Sequence, residues 1–210
     1  MIADIVTFWL ADSLDSPERA SARRDWWYRG GAEVDDEIRA RFGHLVPRAC
    51  ARDPELTGWR ETPDGALALI LLLDQFTRNI HRGTTRAYAG DAPAFEIVEH
   101  AIDRGLDRAL HPVSCIWLYH PFHHSEELAE QDRGLDLLRA LWREADPAWR
   151  AYVDRSVQGW TRHRDIVARF GRFPHRNAVL GRASTPEEEA HMAEGGESFG
   201  QGLQAGGAAG

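Results

Sequence analysis

The sequence predicts an all-α fold, and three observations carry that reading. The punctuation is helical: Ser16-Pro17-Glu18, Thr62-Pro63-Asp64 and Thr185-Pro186-Glu187-Glu188 each offer a capping hydroxyl, a proline at the first helical position and an acid in the first turn. Trp149, Val153, Ser156, Trp160, His163, Val167 and Phe170 recur in steps of four and three, the stripe of one helix face. No segment shows a clear alternation of period two, the mark of a half-buried strand.

Taken in order, helices are expected near 2–12, 17–29, 33–51, 63–80, 91–104, 111–123, 125–145, 147–170 and 186–193, about nine in one domain spanning 1–197. The second starts at the Ser16 cap. The fourth starts at the Thr62 cap and runs through Ala66–Leu73, which is apolar on every side, so it belongs at the centre of the bundle. Asp74 and Gln75 follow that run and are carried into the interior, where they need partners. In the segment His120-Pro121-Phe122-His123-His124-Ser125 the helix either continues with Pro121 in its first turn or breaks into a new one capped by Ser125. If it continues, His120, His124 and Glu127 share a face. The helix from Pro147 ends at Phe170-Gly171, and Thr185 with Glu188 has capping-box spacing at the start of the last. The glycine-rich stretch 198–210 reads as a disordered tail.

Composition narrows the function. A chain of 210 residues suits one domain, and a hydrophobic fraction of 43% is ordinary for a globular protein. Its longest apolar run is far short of the roughly 20 residues that span a bilayer. The N-terminus carries Asp4 and no basic flank, unlike a signal peptide, so a cytoplasmic location and no membrane partner are expected. All 25 basic residues are arginine, which excludes a Schiff-base or phosphate-loop lysine. A net charge of -8 disfavours nucleic acid as a partner. Cys50 and Cys115 stand far apart, outside any CxxC motif, and read as reduced thiols.

Against that acidic background, basic and polar residues gather in three places. Arg169, Arg172, His175 and Arg176 fall within nine residues that end at Asn177. Arg78 and Arg82 lie four apart where the central helix ends, beside Gln75 and Asn79, and Asp74 can pair with Arg78 along the helix. Both asparagines of the chain, Asn79 and Asn177, follow an arginine. The third group is His120, His123, His124, Ser125, Glu126 and Glu127, and His163 points inward from the long stripe. Arginine presents a planar fork to carboxylate or phosphate, and imidazole moves protons near neutral pH. The same histidines and acids could ligate zinc or iron, but the spacing is not HExxH and the third ligand must come from elsewhere, where His163 or His175 could supply it. The bland alternatives are arginines that brace helix ends and histidines that are simply hydrogen-bonded.

The stretches LLLDQFTRNIHRGTTRAYAGD, PFHHSEELAEQ and RFGRFPHRNAVLGRASTPEE together resemble the bacterial domain-of-unknown-function family 924, over about residues 2–195. The resemblance implies antiparallel helix pairs in a tetratricopeptide-like right-handed superhelix, although no 34-residue repeat stands out here. It implies no reaction. It carries over recurring polar positions to Asp74, Gln75, Arg78, Asn79, Arg82, His124, Ser125, Glu126, His163, Arg172, His175, Arg176 and Asn177. His120 and His123 depart from the family pattern, which weakens the metal reading.

The expectation is therefore a pocket for a small carboxylate or phosphate. Gln75, Arg78, Asn79, Arg82, Ser125, Arg172, His175, Arg176 and Asn177 would bind the ligand. His124 or His163 would transfer protons, with Glu126 holding a histidine tautomer for acid-base hydrolysis. No metal or cofactor is specified. The rival is a tetratricopeptide-like scaffold for a peptide or protein, with the polar cluster as an internal brace.

Overall fold

The computed structural model describes residues 1–197 and Phe199, and those residues form helices and turns with no strand. The expected tail at 198–210 lies, Phe199 apart, outside the described residues. Helix α1 is Ile2–Leu10, α2 Pro17–Arg29, α3 Gly31–Phe42, α4 Val46–Cys50, α5 Pro54–Thr57, α6 Pro63–Ile70 and α7 Thr77–Ile80. Then come α8 Asp91–Asp103, α9 Pro112–Leu118, α10 His120–His124, α11 Leu128–Glu144, α12 Pro147–Phe170 and α13 Pro186–Ala193. The caps read from sequence are in place: the hydroxyls of Ser16, Thr62 and Thr185 accept from the N–H groups of Arg19, Gly65 and Glu188. Glu188 returns a bond to the Thr185 N–H, which completes the capping box.

Helix α6 runs through the middle. Every residue from Gly65 to Asp74 is buried, as an all-round apolar helix requires. Around it, Trp9 packs edge-on against Trp117 at 5.1 Å and Phe76 at 5.6 Å, and Trp27 reaches Trp117 at 5.0 Å. Helices α11 and α12 are joined by two residues and pack along each other, the arrangement a short connection between helices produces. They approach closely at Gly134, where a Cβ would fall 3.1 Å from the Trp160 ring. Gly171 ends α12 at φ 70°, in the left-handed region that favours glycine, and its N–H bonds the Val167 carbonyl.

Several expected boundaries shift. The helix expected over 33–51 divides, because Pro47 has no N–H to donate and sits instead in the first turn of α4. The helix expected over 111–123 divides at Tyr119, with Pro121 in the first turn of α10. A second break follows at Ser125, whose backbone is extended and whose hydroxyl accepts from the Glu127 N–H. Glu127 therefore does not continue the His120–His124 face. The expected helix 125–145 begins only at Leu128.

The expected helix 63–80 is continuous in direction but widens into a π turn over Leu71–Phe76, between α6 and α7. A widened turn leaves carbonyls to be satisfied in other ways. The Thr77 hydroxyl donates to the Leu73 carbonyl at 2.7 Å, and the Arg78 guanidinium donates to the Asp74 carbonyl at 2.9 Å. Gly90, just before α8, packs so closely here that a Cβ would lie 1.9 Å from the Leu73 oxygen.

Candidate functional site

The π turn puts Asp74 at the centre of the polar cluster, 1% exposed. Its Oδ1 accepts from the His124 Nδ1 at 2.7 Å and from Arg78 at 3.0 Å, and Gln75 donates to Oδ2. Burial alone would raise the Asp74 pKa, but the charge of Arg78 and the hydrogen bond from His124 outweigh it and hold the carboxyl well below the usual range. An ionised Asp74 makes Nδ1 the protonated nitrogen of His124 and leaves Nε2 as the basic one. Asp74, not the expected Glu126, is thus the residue that holds a histidine tautomer. Glu126 instead takes both ends of Arg182, at 2.5 and 3.0 Å, and the Phe173 N–H at 2.9 Å.

Around His124 the helices bring together His120 and His123 from α10, His163 from α12 and His175 from the turn Pro174–Arg176. His120 stacks on Trp117 at 4.3 Å and bonds the Ile116 carbonyl; His123 stacks on Trp160 at 4.6 Å and touches His163 at 3.7 Å. Burial keeps all of these rings neutral, with His120 at about 4 and His124 and His175 at about 3. His123 and His163 lie well below the ordinary value for the same reason. For His124 the neighbouring Asp74 opposes the shift without cancelling it.

These rings form one wall of a cavity of about 570 Å³ that also meets Gln75, Arg78, Asn79, Arg82 and Arg176. Of the residues expected to bind ligand, those five and His175 therefore share one space with the proton-transfer candidates His124 and His163. Ser125 and Glu126 fall on the other side of the Asp74–His124 pair, in a second cavity of about 280 Å³ with Tyr88 and Asp91. Arg172 and Asn177 line neither cavity. Arg172 grips Glu188 with two bonds of 2.6 and 2.7 Å, and Asn177 donates to the same carboxylate and accepts from Arg182. Their expected ligand contacts are thus replaced by contacts that fasten the loop to α13.

The larger cavity carries more positive than negative charge. Its lining includes seven arginines and, among the described residues, a single carboxylate, the exposed Asp25. Arg78 is offset by Asp74 and by Asp91 at 3.0 Å, and Arg82 by a two-bond contact with Asp35 that Asn79 also joins. Arg176 is less well matched. It is 6% exposed, donates to the His124 carbonyl at 3.0 Å, and lies 3.8 Å from a Glu126 already engaged by Arg182. Its guanidinium sits over the Phe173 ring at 4.4 Å and the Tyr88 ring at 5.0 Å. Burial, then the nearby Arg78, pull its pKa down, as a partly compensated cation requires. Nε of Arg176 and Nδ1 of His123 and His175 are buried with no hydrogen-bond partner, and such orphans call for an explanation.

The model of the family described as "Bacterial protein of unknown function (DUF924)" matches residues 5–196. The chain belongs to this family. A solved structure, "Structure of Protein of Unknown Function ATU0120 from Agrobacterium tumefaciens", is 40% identical to this chain, with a TM-score of 0.76 over 92% of this chain and 97% of that one. No curated protein matches. The structure is similar in fold to the Agrobacterium protein, and neither description states a function. Within this member, no three His, Cys, Asp or Glu side chains among the described residues are placed to hold a metal ion. The histidines spend their ring faces on each other and on tryptophan. No described helix is long and apolar enough to cross a membrane.

Several residues of the site left no trace in the sequence reading. Arg24 and Arg155 line the cavity and meet no carboxylate among the described residues. Trp160 reads in the sequence only as part of an apolar stripe and Glu188 only as a cap, Asp35 is not singled out, and Tyr88, Asp91 and Arg182 lie unremarked inside the family-like stretches. Phe199 reaches back from beyond α13 to stack on His163, and nothing near it in sequence signals that contact.

Proposed function

We propose that this protein binds a small anionic molecule, a carboxylate or phosphate, in the cavity between α10, α12 and the loop 172–177, and that His124 is its proton-transfer group. One observation carries the reading: a chain of net charge -8 encloses about 570 Å³ beside five neutral histidines, with Arg24 and Arg155 meeting no carboxylate among the described residues and the buried Arg176 reaching only a shared Glu126 at 3.8 Å. That volume is in the range of small-molecule sites. Neutral imidazoles beside a buried guanidinium accept an anion without a competing acid. The Asp74–His124 hydrogen bond fixes His124 as the tautomer with Nε2 free to accept a proton, and the charge of a bound anion would raise its depressed pKa toward the range where it can take part in an acid-base step. A cytoplasmic setting fits this reading.

The brace reading is favoured for part of the cluster by the two-bond pairs of Arg172 and Arg182 with Glu188 and Glu126. It fits those residues and not the cavity wall. The experiment is native mass spectrometry of freshly purified protein with metal analysis, followed by calorimetry with inorganic phosphate and acetate. Arg176→Ala is expected to weaken the anion by roughly ten- to a hundredfold, the value of one charge-assisted bond. It should also lower the melting temperature, because Arg176 is packed between two rings. The variant Arg176→Lys should recover stability more than affinity. Equal anion affinity in all three proteins would sink the proposal.

A further inference from the structure

The position of Phe199 bears on the kind of anion the cavity takes. Its ring lies nearly parallel to His163, 28° off, with centroids 3.5 Å apart. His175 stands edge-on at 5.5 Å and Phe173 at 6.1 Å. The cavity wall here is therefore a slot with the His163 ring as its flat side and His175 and Phe173 at its margins, continued by His123 on Trp160. A flat ring fits such a slot, because stacked and edge-to-face contacts both favour planar π systems.

Phenylalanine fills the slot in shape but not in chemistry. It offers no polar atom to its surroundings, and the buried nitrogens of His123, His175 and Arg176 remain without partners. Phe199 is also held at φ 50°, a conformation uncommon for a residue with a side chain. The slot thus admits a ring, and the atoms around it ask for oxygen.

We infer that the natural ligand is a planar aromatic ring bearing an anionic oxygen group, whose ring takes the place of Phe199 and whose oxygens meet Arg176 and His175. Phe199 is then a tethered stand-in that the ligand displaces. This inference rests on the anion-binding reading above and adds the ring to it.

The test is calorimetry on the full chain and on Phe199→Ala with five probes: benzoate, phenyl phosphate, cyclohexanecarboxylate, acetate and inorganic phosphate. Circular dichroism checks that the variant keeps its fold. Benzoate or phenyl phosphate should bind more tightly than its ringless or non-planar counterpart. Removing Phe199 should tighten the aromatic probe by roughly tenfold, the gain expected if about one molecule in ten has the slot free. The ringless anions should change little. If cyclohexanecarboxylate and acetate bind as well as benzoate, or if Phe199→Ala leaves the aromatic affinity unchanged, the ring assignment is overturned while the anion site stands. If neither protein binds any of the five, both fall. The phenyl phosphate and benzoate arms separate phosphate from carboxylate as the anionic group.

Discussion

On the outer side of the loop that follows α12, Arg172 and Arg182 each meet a glutamate through two hydrogen bonds. On the inner side, three and four residues on from Arg172, His175 and Arg176 face a cavity with buried nitrogens unpaired. The residue types are alike and the surroundings differ. Glu188, 2% exposed, takes bonds from Arg172, Asn177 and the Thr185 N–H, and its pKa falls to about 2, chiefly through Arg172. Inside, Asp74 is the acid that reaches the histidines, and Arg78 and Gln75 already hold it. Arginine in this chain is therefore not one signal. Arg172 and Arg182 are each gripped by a glutamate, and Arg176 meets only a Glu126 that Arg182 already holds.

Acid should separate the two sides most strongly. Inside, five histidines have folded pKa values below their unfolded ones, so the unfolded chain binds more protons as pH falls below about 6.5. The stability they permit is fully present above that value and is lost on the way down toward about 4 for His120 and about 3 for His124 and His175. Each contributes up to about 1.4 kcal/mol per pH unit. Outside, Glu188 is depressed, so its contribution is present above its unfolded pKa near 4.5 and fades only as pH falls toward about 2. Melting temperature should thus drop steeply between pH 6 and 4.5, before the glutamates titrate, as thermal scans across that range will show. A flat profile there would mean the histidine wall takes up protons freely in the folded state.

Two substitutions probe the acids. Asp74→Ala leaves Arg78 buried against Asp91 alone and strips His124 of its partner. Breaking a buried pair from one side costs about 3–5 kcal/mol, measurable by urea unfolding, and it should also abolish proton transfer. Glu188→Ala releases Arg172, which is a quarter exposed, so water recovers part of the loss and about 2 kcal/mol is expected. Anion affinity should survive Glu188→Ala. A large loss of affinity would show that the outer pairs hold the inner wall in shape, and the contrast between them would blur.

The all-helical class was legible because capping hydroxyls, first-turn prolines and the α12 stripe act locally. So was the inward turn of His163. The π turn was not legible, because nothing local in Leu71–Phe76 marks it, and the close approach of Gly90 to the Leu73 carbonyl there joins residues far apart in sequence. Pro47 and Pro121 each signalled a break, but whether the chain would restart at once depended on what it packs against. At the site, the three polar segments could be named from composition. Which arginines were already paired could not, because Asp35 reaches Arg82, and Glu126 reaches Arg182, across 47 and 56 residues. Sequence proximity grouped Arg172 with Arg176, and the fold separated them.

Arg155 offers the mildest test of the same contrast. It lines the mouth of the cavity from α12, is exposed, and meets no carboxylate among the described residues. Arg155→Ala should leave stability within about 0.5 kcal/mol of the parent, as surface changes do. Through water its charge adds at most about 1 kcal/mol to a nearby anion, so affinity should fall by roughly threefold in dilute buffer. That difference should vanish near 1 M salt, where the screening length is about 3 Å. The loss in Arg176→Ala should persist at the same salt, because Arg176 is buried and its bond to the anion is direct. Titrations of both variants at low and high salt therefore rank the two arginines as rim and floor. If the Arg155 effect proved as large and as salt-resistant as that of Arg176, the anion would sit at the mouth rather than against the histidines.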